Sequence, residues 1–292
     1  MHKSLLALAA LLVAGLAPTA GLVAAGPAKA AAATAEKGLV KPAQPRKLLV
    51  FTLTKGWYNH ASTPVAAEAF ASMGKSTGAF EATVSNDINQ LKAAALARFD
   101  AVMLVNTQGE FLTDPEMRKG FLDYVKNGKG LCGLHGAIDA NTTWPEYADL
   151  LGANFSGATN WNRASVKIDD PAGPLCAMFE GQGFNLNTET YTFRDPYSRD
   201  KLHILLSMDW QASRLGGGNR KDNDFAFSWI REYGKGRVFY CAFGHNPETF
   251  SAGPMLQHFL AGIQYALGDL KADATSSAKL NLKPAPAPPF KP

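Results

Sequence analysis

The sequence predicts an α/β protein: an open parallel sheet with helices on both faces and an antiparallel β-hairpin added at one edge. Three observations predict it. Apolar runs of strand length alternate with helical segments through the first half of the chain. Those runs are apolar almost throughout, the pattern of strands buried on both faces. In the second half, Phe225–Tyr233 and Arg237–Phe243 flank a Gly-Lys-Gly stretch, the layout of a hairpin.

Lys47–Thr54 (KLLVFTLT) reads as the first strand and Pro64–Met73 as the helix that follows it. Phe80–Val84 is a second, short strand and Phe99–Val105 a third. Thr113–Val125 opens like a helix, with Thr113 as N-cap, Pro115 in the first turn and Glu116 three positions after the cap. Gly130–Leu134 is the fourth strand. Beyond it, residues 163–169, 189–193 and 202–208 have strand character, and Pro254–Leu267 closes the domain as a helix with apolar residues at helical spacing. No internal repeat is visible.

The ends of the chain differ from this middle. A basic start at Lys3, an unbroken apolar run from Leu5 to Ala17 and an Ala-Lys-Ala site at residues 28–30 have the layout of a secretory signal peptide over residues 1–30. An uncleaved anchor is the alternative, since small apolar residues continue to Ala25; no cysteine follows that would make a lipoprotein. Residues 31–45 read as a linker, 46–270 as one domain and 271–292 as an extended Pro/Ala-rich tail. Such a protein is expected in the periplasm or outside the cell. Without Lys3 and Lys29 the chain carries 27 basic and 25 acidic side chains. A balance so even and so spread argues against nucleic acid or a membrane surface as partner. The three cysteines do not make a disulfide framework, and Cys132 and Cys241 sit in apolar strand-like runs as small core residues.

In an open parallel sheet, ligands bind beyond the carboxyl ends of the strands. Trp57, Tyr58 and His60 follow the first strand, and Asn106, Thr107, Gln108 and Glu110 the third. His135 and Asp139 follow the fourth; His245 and Asn246 follow the hairpin. Three of the six histidines therefore stand at strand ends. Converging imidazoles bind a divalent metal or act as acid and base; alternatively, each hydrogen-bonds backbone where it stands. Glu189, Asp139 and Glu110 are the candidate carboxylates. Trp57, Tyr58, Trp144 and Trp161 lie in loops where aromatic faces suit a sugar ring or anchor the loop. His203 and His258 are expected to pack.

In the run Gly133-Leu134-His135-Gly136-Ala137, the strand–turn–helix layout resembles the class I glutamine amidotransferase superfamily. That group carries a cysteine nucleophile in this turn; here histidine occupies it and Cys132 falls inside the strand, so glutaminase chemistry lacks its nucleophile. The segments His60-Ala61-Ser62, Gly130–His135, Trp144-Pro145-Glu146-Tyr147, Glu189-Thr190-Tyr191 and Tyr233–Tyr240 leading to Gly244-His245-Asn246 resemble the ThuA (trehalose utilisation) branch over roughly residues 46–270. The resemblance implies a flavodoxin-like fold and a role in carbohydrate catabolism, notably with disaccharides oxidised to 3-keto forms. Two positions depart from the family pattern: Ala158 stands where a histidine is common, and Asn59 where an arginine is usual.

The expected activity is that of an exported hydrolase, lyase or hydratase acting on a sugar or 3-keto-glycoside. His135, His60, His245 and Glu189 are the expected catalytic residues, and Trp57, Asn106, Gln108, Asp139 and Asn246 the expected substrate contacts. His60, His135 and His245 would hold one divalent metal, zinc or similar; no nucleotide cofactor is expected. The alternative is a non-catalytic carbohydrate-binding protein, favoured by Ala158. A hydrolase using Ser62 or Thr107 ranks last because neither sits in a nucleophile turn.

Overall fold

The computed structural model describes residues 40–56, 58–159, 163–215, 220–251 and 253–290. The expected signal peptide, residues 31–39 of the expected linker, Trp57 and Trp161 lie outside the described residues. A nine-stranded sheet has the order β2-β1-β3-β4-β11-β10-β9-β6-β7, and β5 and β8 form a separate pair. Its parallel half comprises β1 (Lys47–Phe51), β2 (Glu81–Ser85), β3 (Ala101–Val105), β4 (Gly130–Leu134) and β11 (Gly236–Cys241). The spatial order 2-1-3-4-5, with β11 in fifth place, is the flavodoxin-like order. β3 and β4 are buried at every position and β1 at all but Lys47, so their continuous apolar runs do mark the sheet centre.

Helix α1 (Ser62–Thr77) and helix α4 (Gly253–Leu267) share one face, where the Phe70 ring meets the Phe259 ring at 5.7 Å. Gly262 lets α4 lie down on β11: a Cβ there would fall 2.4 Å from the Phe239 ring. Helix α3 (Pro145–Leu151) covers the other face, reaching Gly133 of β4 through Leu151. Helix α2 (Pro115–Lys126) is capped by Asp114, not by Thr113. Pro115 takes the first helical position, so the carboxylate just before it accepts from the N–H groups of Glu116 and Met117.

The hairpin β10 (Ala226–Tyr233)–β11 joins the two halves of the sheet. From it β9 (His203–Met208), β6 (Ala164–Ile168) and β7 (Phe184–Leu186) continue antiparallel. The first strand ends at Phe51 instead of Thr54, because beyond it the chain crosses to the β3 loop, where Thr54 pairs with Gln108. The strand expected at 189–193 starts only at Tyr191: β8 (Tyr191–Arg194) pairs with β5 (Asn154–Ala158) outside the main sheet, leaving Glu189 in the loop ahead of it. β5 and β7 have no counterpart in the sequence reading. One is a Gly- and Ser-containing stretch without branched apolar residues, the other only three residues long.

All three cysteines are buried and unbridged. Burial pushes the Cys132 thiol well up and that of Cys241 up to about 12. No helix among the described residues is long and apolar enough to cross a membrane.

The C-terminal segment is extended, and it is tied down. Ala285 exchanges backbone hydrogen bonds with Ile168, Phe290 N–H donates to the Ala212 carbonyl, and Asn185 donates to the Pro289 carbonyl. Arg163 lies over the Phe290 ring at 5.0 Å. Each such bond contributes about 0.5–1.5 kcal/mol, offset by the ordering of the strap. Truncation after Lys283 is therefore expected to lower the thermal midpoint by about 2–6 °C in a calorimetric scan.

Candidate active site

The carboxyl ends of β1, β4 and β11 each deliver one histidine. His60 stands two residues ahead of α1, and its carbonyl accepts the Thr63 N–H at 3.0 Å. His135 directly follows Leu134 with a positive φ of 44°; Asn106, directly after β3, does the same at 49°. Left-handed backbone at side chains larger than glycine is costly and gathers at functional sites. His245 follows β11 by way of Ala242, Phe243 and Gly244. Glu189 comes from the loop between β7 and β8.

Within this group His135 is central and fully buried. Its Nδ1 lies 2.8 Å from the Ala242 carbonyl, which can only accept, so Nδ1 carries the proton and neutral His135 offers a lone pair at Nε2. Around Nε2 stand Tyr191 Oη at 2.9 Å, His60 Nε2 at 3.1 Å, His245 Nδ1 at 3.3 Å and Glu189 Oε2 at 3.4 Å. Glu189 Oε2 is also 3.1 Å from His245 Nδ1. The ligand atoms of the three histidines all lie within 4.8 Å of one another.

One lone pair cannot serve four neighbours. A cation between them would be served by all the ring nitrogens at once. Ligand bonds of about 2.0–2.1 Å at tetrahedral angles set ligand atoms about 3.3 Å apart. The His135–His60 and His135–His245 separations match that spacing, and the carboxylate completes a nitrogen and oxygen donor set suited to zinc or a similar divalent ion. The His135 Nδ1–carbonyl bond is the outer contact that fixes a ligating imidazole. The residues present fit a metal.

The electrostatics follow from burial and crowding. Burial, then the neighbouring His135 and His245, push His60 down to about 3. Burial lowers His135 too, against the opposing pull of Glu189. His245, the most open of the three, is raised by its hydrogen bond to Glu189. Burial alone would raise Glu189, but the facing His135 and His245 rings outweigh it, the His245 Nδ1 contact at 3.1 Å being the hydrogen bond, and hold the carboxyl down at about 2. Asp139 goes the other way: burial and the Glu189 charge raise it despite the 2.7 Å bond from Gln108 Nε2.

A second layer holds these groups in place. Asn106 Nδ2 donates to Ser62 Oγ at 3.0 Å and Thr63 Oγ1 at 3.2 Å, and Ser62 Oγ donates to the Gly244 carbonyl at 2.5 Å. The ends of β3 and β11 and the start of α1 are thereby tied together. Gly136 permits the approach of His60: a Cβ there would stand 3.3 Å from the His60 Cε1. His60 Nδ1, Asn106 Oδ1 and Gln108 Oε1 are buried without a partner among the described residues.

Of the expected contacts, Asn106, Gln108 and Asp139 belong to this layer, and half-buried Asn246 donates to the Asn187 carbonyl beside Glu189. Glu110 does not join the cluster; it holds the turn at Thr142 and Thr143. Trp144 is a buried anchor under Arg118. His203 and His258 pack, bonded to Asp170 and Thr275 and to Ser228 and Leu175. Neither Ser62 nor Thr107 is set up as a nucleophile, since Ser62 spends its proton on Gly244 and Thr107 is fully buried.

Sequence reasoning missed two tyrosines. Tyr191 stacks on His135 at 4.3 Å, and Tyr240 Oη donates to the His135 carbonyl at 2.9 Å. The only signal was the place of Tyr191, two residues after Glu189. Tyr58 stands edge-on to His60 at 4.6 Å, at the exposed side. Ala158 is the cross-strand partner of Tyr191.

A stability prediction follows. Below about 6.5, the ordinary histidine value, the unfolded chain protonates His60 and His135 while the folded chain resists, so acid favours unfolding. His245, raised, acts in the opposite sense and offsets part of this. The thermal midpoint of metal-stripped protein is expected to fall as pH drops from about 6.5 toward 3. His60→Asn should flatten that slope in circular-dichroism melts.

Solved structures share this fold. A ThuA-like protein from Bacteroides uniformis ATCC 8492 is 23% identical, with a TM-score of 0.64 over 78% of this chain and 94% of that one. A second, from Parabacteroides merdae ATCC 43184, is 17% identical, with a TM-score of 0.56 over 82% and 100%. The cytoplasmic protein STM3548 of Salmonella typhimurium shares the fold at 13% identity and a TM-score of 0.51, over 76% and 98%. No curated protein matches the chain. The family model ThuA, described as trehalose utilisation, matches residues 47–266, and the chain belongs to that family.

Proposed function

We propose that this protein is an exported enzyme acting on a sugar or 3-keto-glycoside, with His60, His135, His245 and Glu189 as a divalent-metal centre. The observation that carries the reading is the convergence of three imidazole nitrogens, His135 Nε2 at their centre, and one carboxylate oxygen, from four separate segments of the chain. Export is supported by the basic start, apolar run and Ala-Lys-Ala site of residues 1–30.

A bound ion would supply Lewis-acid polarisation of a carbonyl or water oxygen. The chain's own groups do the rest. In a 3-keto-glycoside the carbonyl acidifies the adjacent C–H. A base takes that proton, the electron pair forms a C=C bond, the glycosidic C–O bond breaks and the departing oxygen is protonated; water then adds to the double bond. With the imidazoles engaged at the centre, Asp139 is the proton carrier. Burial and the Glu189 charge raise its carboxyl above the ordinary aspartate value, and Gln108 orients it. Two carboxyls whose environments push them apart divide the roles of fixed anion and acid/base. Tyr58 at the open side would lie against the ring of the sugar.

The purified protein should hold one equivalent of zinc or a similar ion by elemental analysis, and His135→Ala should lose it. No ion in either after supplementation would sink the metal centre. Asp139→Asn should keep the ion and lower kcat by about 10²–10⁴-fold on a turned-over keto-glycoside; an unchanged kcat would remove Asp139 from the proton transfer.

A further inference from the structure

We propose that a cavity beside His60 binds one neutral, unphosphorylated sugar ring of the substrate. The cavity has a volume of ≈ 310 Å³ and lies where the carboxyl ends of β1 and β2 meet the first turn of α1. Thr52, Thr54, Asn59, Thr63 and Asn86 line it with hydroxyls and carboxamides, and buried His60 closes its inner side. This rests on the reading of the histidine cluster as a sugar-processing centre and adds where the sugar sits and which sugars fit.

The size suits a single ring, since small-molecule sites run from about 300 to 1,000 Å³. The chemistry suits hydroxyls, each of which both donates and accepts. Thr54 Oγ1 donates to the Asn106 carbonyl and so keeps acceptor capacity; Thr63 Oγ1 accepts from Asn106 and so keeps its proton to donate. The Asn59 and Asn86 carboxamides, at the exposed rim, have no hydrogen bond to any described residue and offer both functions. A ring held there lies against His60, whose Nε2 faces the centre of the cluster.

The same lining excludes a phosphorylated sugar. No charged side chain borders the cavity. A helix start commonly holds an anion through its free N–H groups, but α1 has few to give. The Thr63 N–H already donates to the His60 carbonyl, and Pro64 has no N–H. A phosphate there would lose its water without gaining a cation.

Calorimetric titration of the full mature protein with a panel of neutral mono- and disaccharides and their 6-phosphates tests the proposal. Neutral sugars should bind, and the 6-phosphates at least about tenfold more weakly. Asn86→Ala and Asn59→Ala should each weaken binding roughly 2–10-fold, the worth of one hydrogen bond. Asn86→Trp, which fills the cavity, should abolish binding while metal content and thermal midpoint stay at wild-type values. Neutral sugar bound equally by wild type and Asn86→Trp would overturn the cavity assignment alone. Equal affinity for the 6-phosphates would overturn the neutrality of the ligand. No sugar bound by a metal-replete wild type would overturn the cavity and the sugar-processing reading together.

Discussion

The hydrogen bond from His135 Nδ1–H to the Ala242 carbonyl is the interaction on which the site depends. It crosses from the end of β4 to the end of β11, strands paired in register down to Leu134 and Cys241. Tyr240 returns the contact from β11, donating to the His135 carbonyl. Between them these bonds fix the tautomer, the ring plane and the left-handed backbone of a residue with no access to water. An unpaired buried donor costs about 1–3 kcal/mol, so the ring has one good orientation, and that orientation aims Nε2 at three other ligand groups.

Charge at the centre is arranged by burial more than by contact. His60 and His135 are kept neutral because the interior penalises imidazolium and because each stands beside another imidazole. The one anion, Glu189, is stabilised by the rings it faces. Burial, with the Glu189 charge added, in turn raises Asp139. Neutral lone pairs and a fixed carboxylate face inward, while a protonatable carboxyl stands just outside. A cation between the rings would relieve the crowding that their lone pairs create.

The two halves of the sheet divide the labour. The parallel half supplies the histidines and, through Asn106 and Ser62, the ties that keep them at one level. The antiparallel half supplies Glu189 from the loop after β7 and Tyr191 from the small β5–β8 pair, which stands apart from the main sheet. The C-terminal strap runs along the outer strands of that half and holds β6 through Ala285. The delivery of the carboxylate thus depends on a part of the fold whose strands are short and whose pattern is weak.

Legibility in the sequence follows that division. The continuous apolar runs of β1, β3 and β4 announced buried parallel strands, because a strand covered on both faces has no polar alternation to show. Once those strands are parallel, whatever follows each one must reach the same edge, so His60, His135 and His245 could be named from order along the chain alone. By itself the sequence determined the layer architecture, the burial of Cys132 and Cys241 and the three imidazoles at one end. It could not show that Glu189 lies in a loop, that Glu110 turns away to Thr142 and Thr143, or that Tyr191 and Tyr240 grip His135. Those outcomes rest on contacts between residues up to about a hundred positions apart, made by hydrogen bonds whose partners no local period encodes. The cavity beside His60 is of the same kind. Its walls come from three segments that only the parallel pairing of β1 and β2 brings together, so tertiary structure alone decided its shape and its lack of charge.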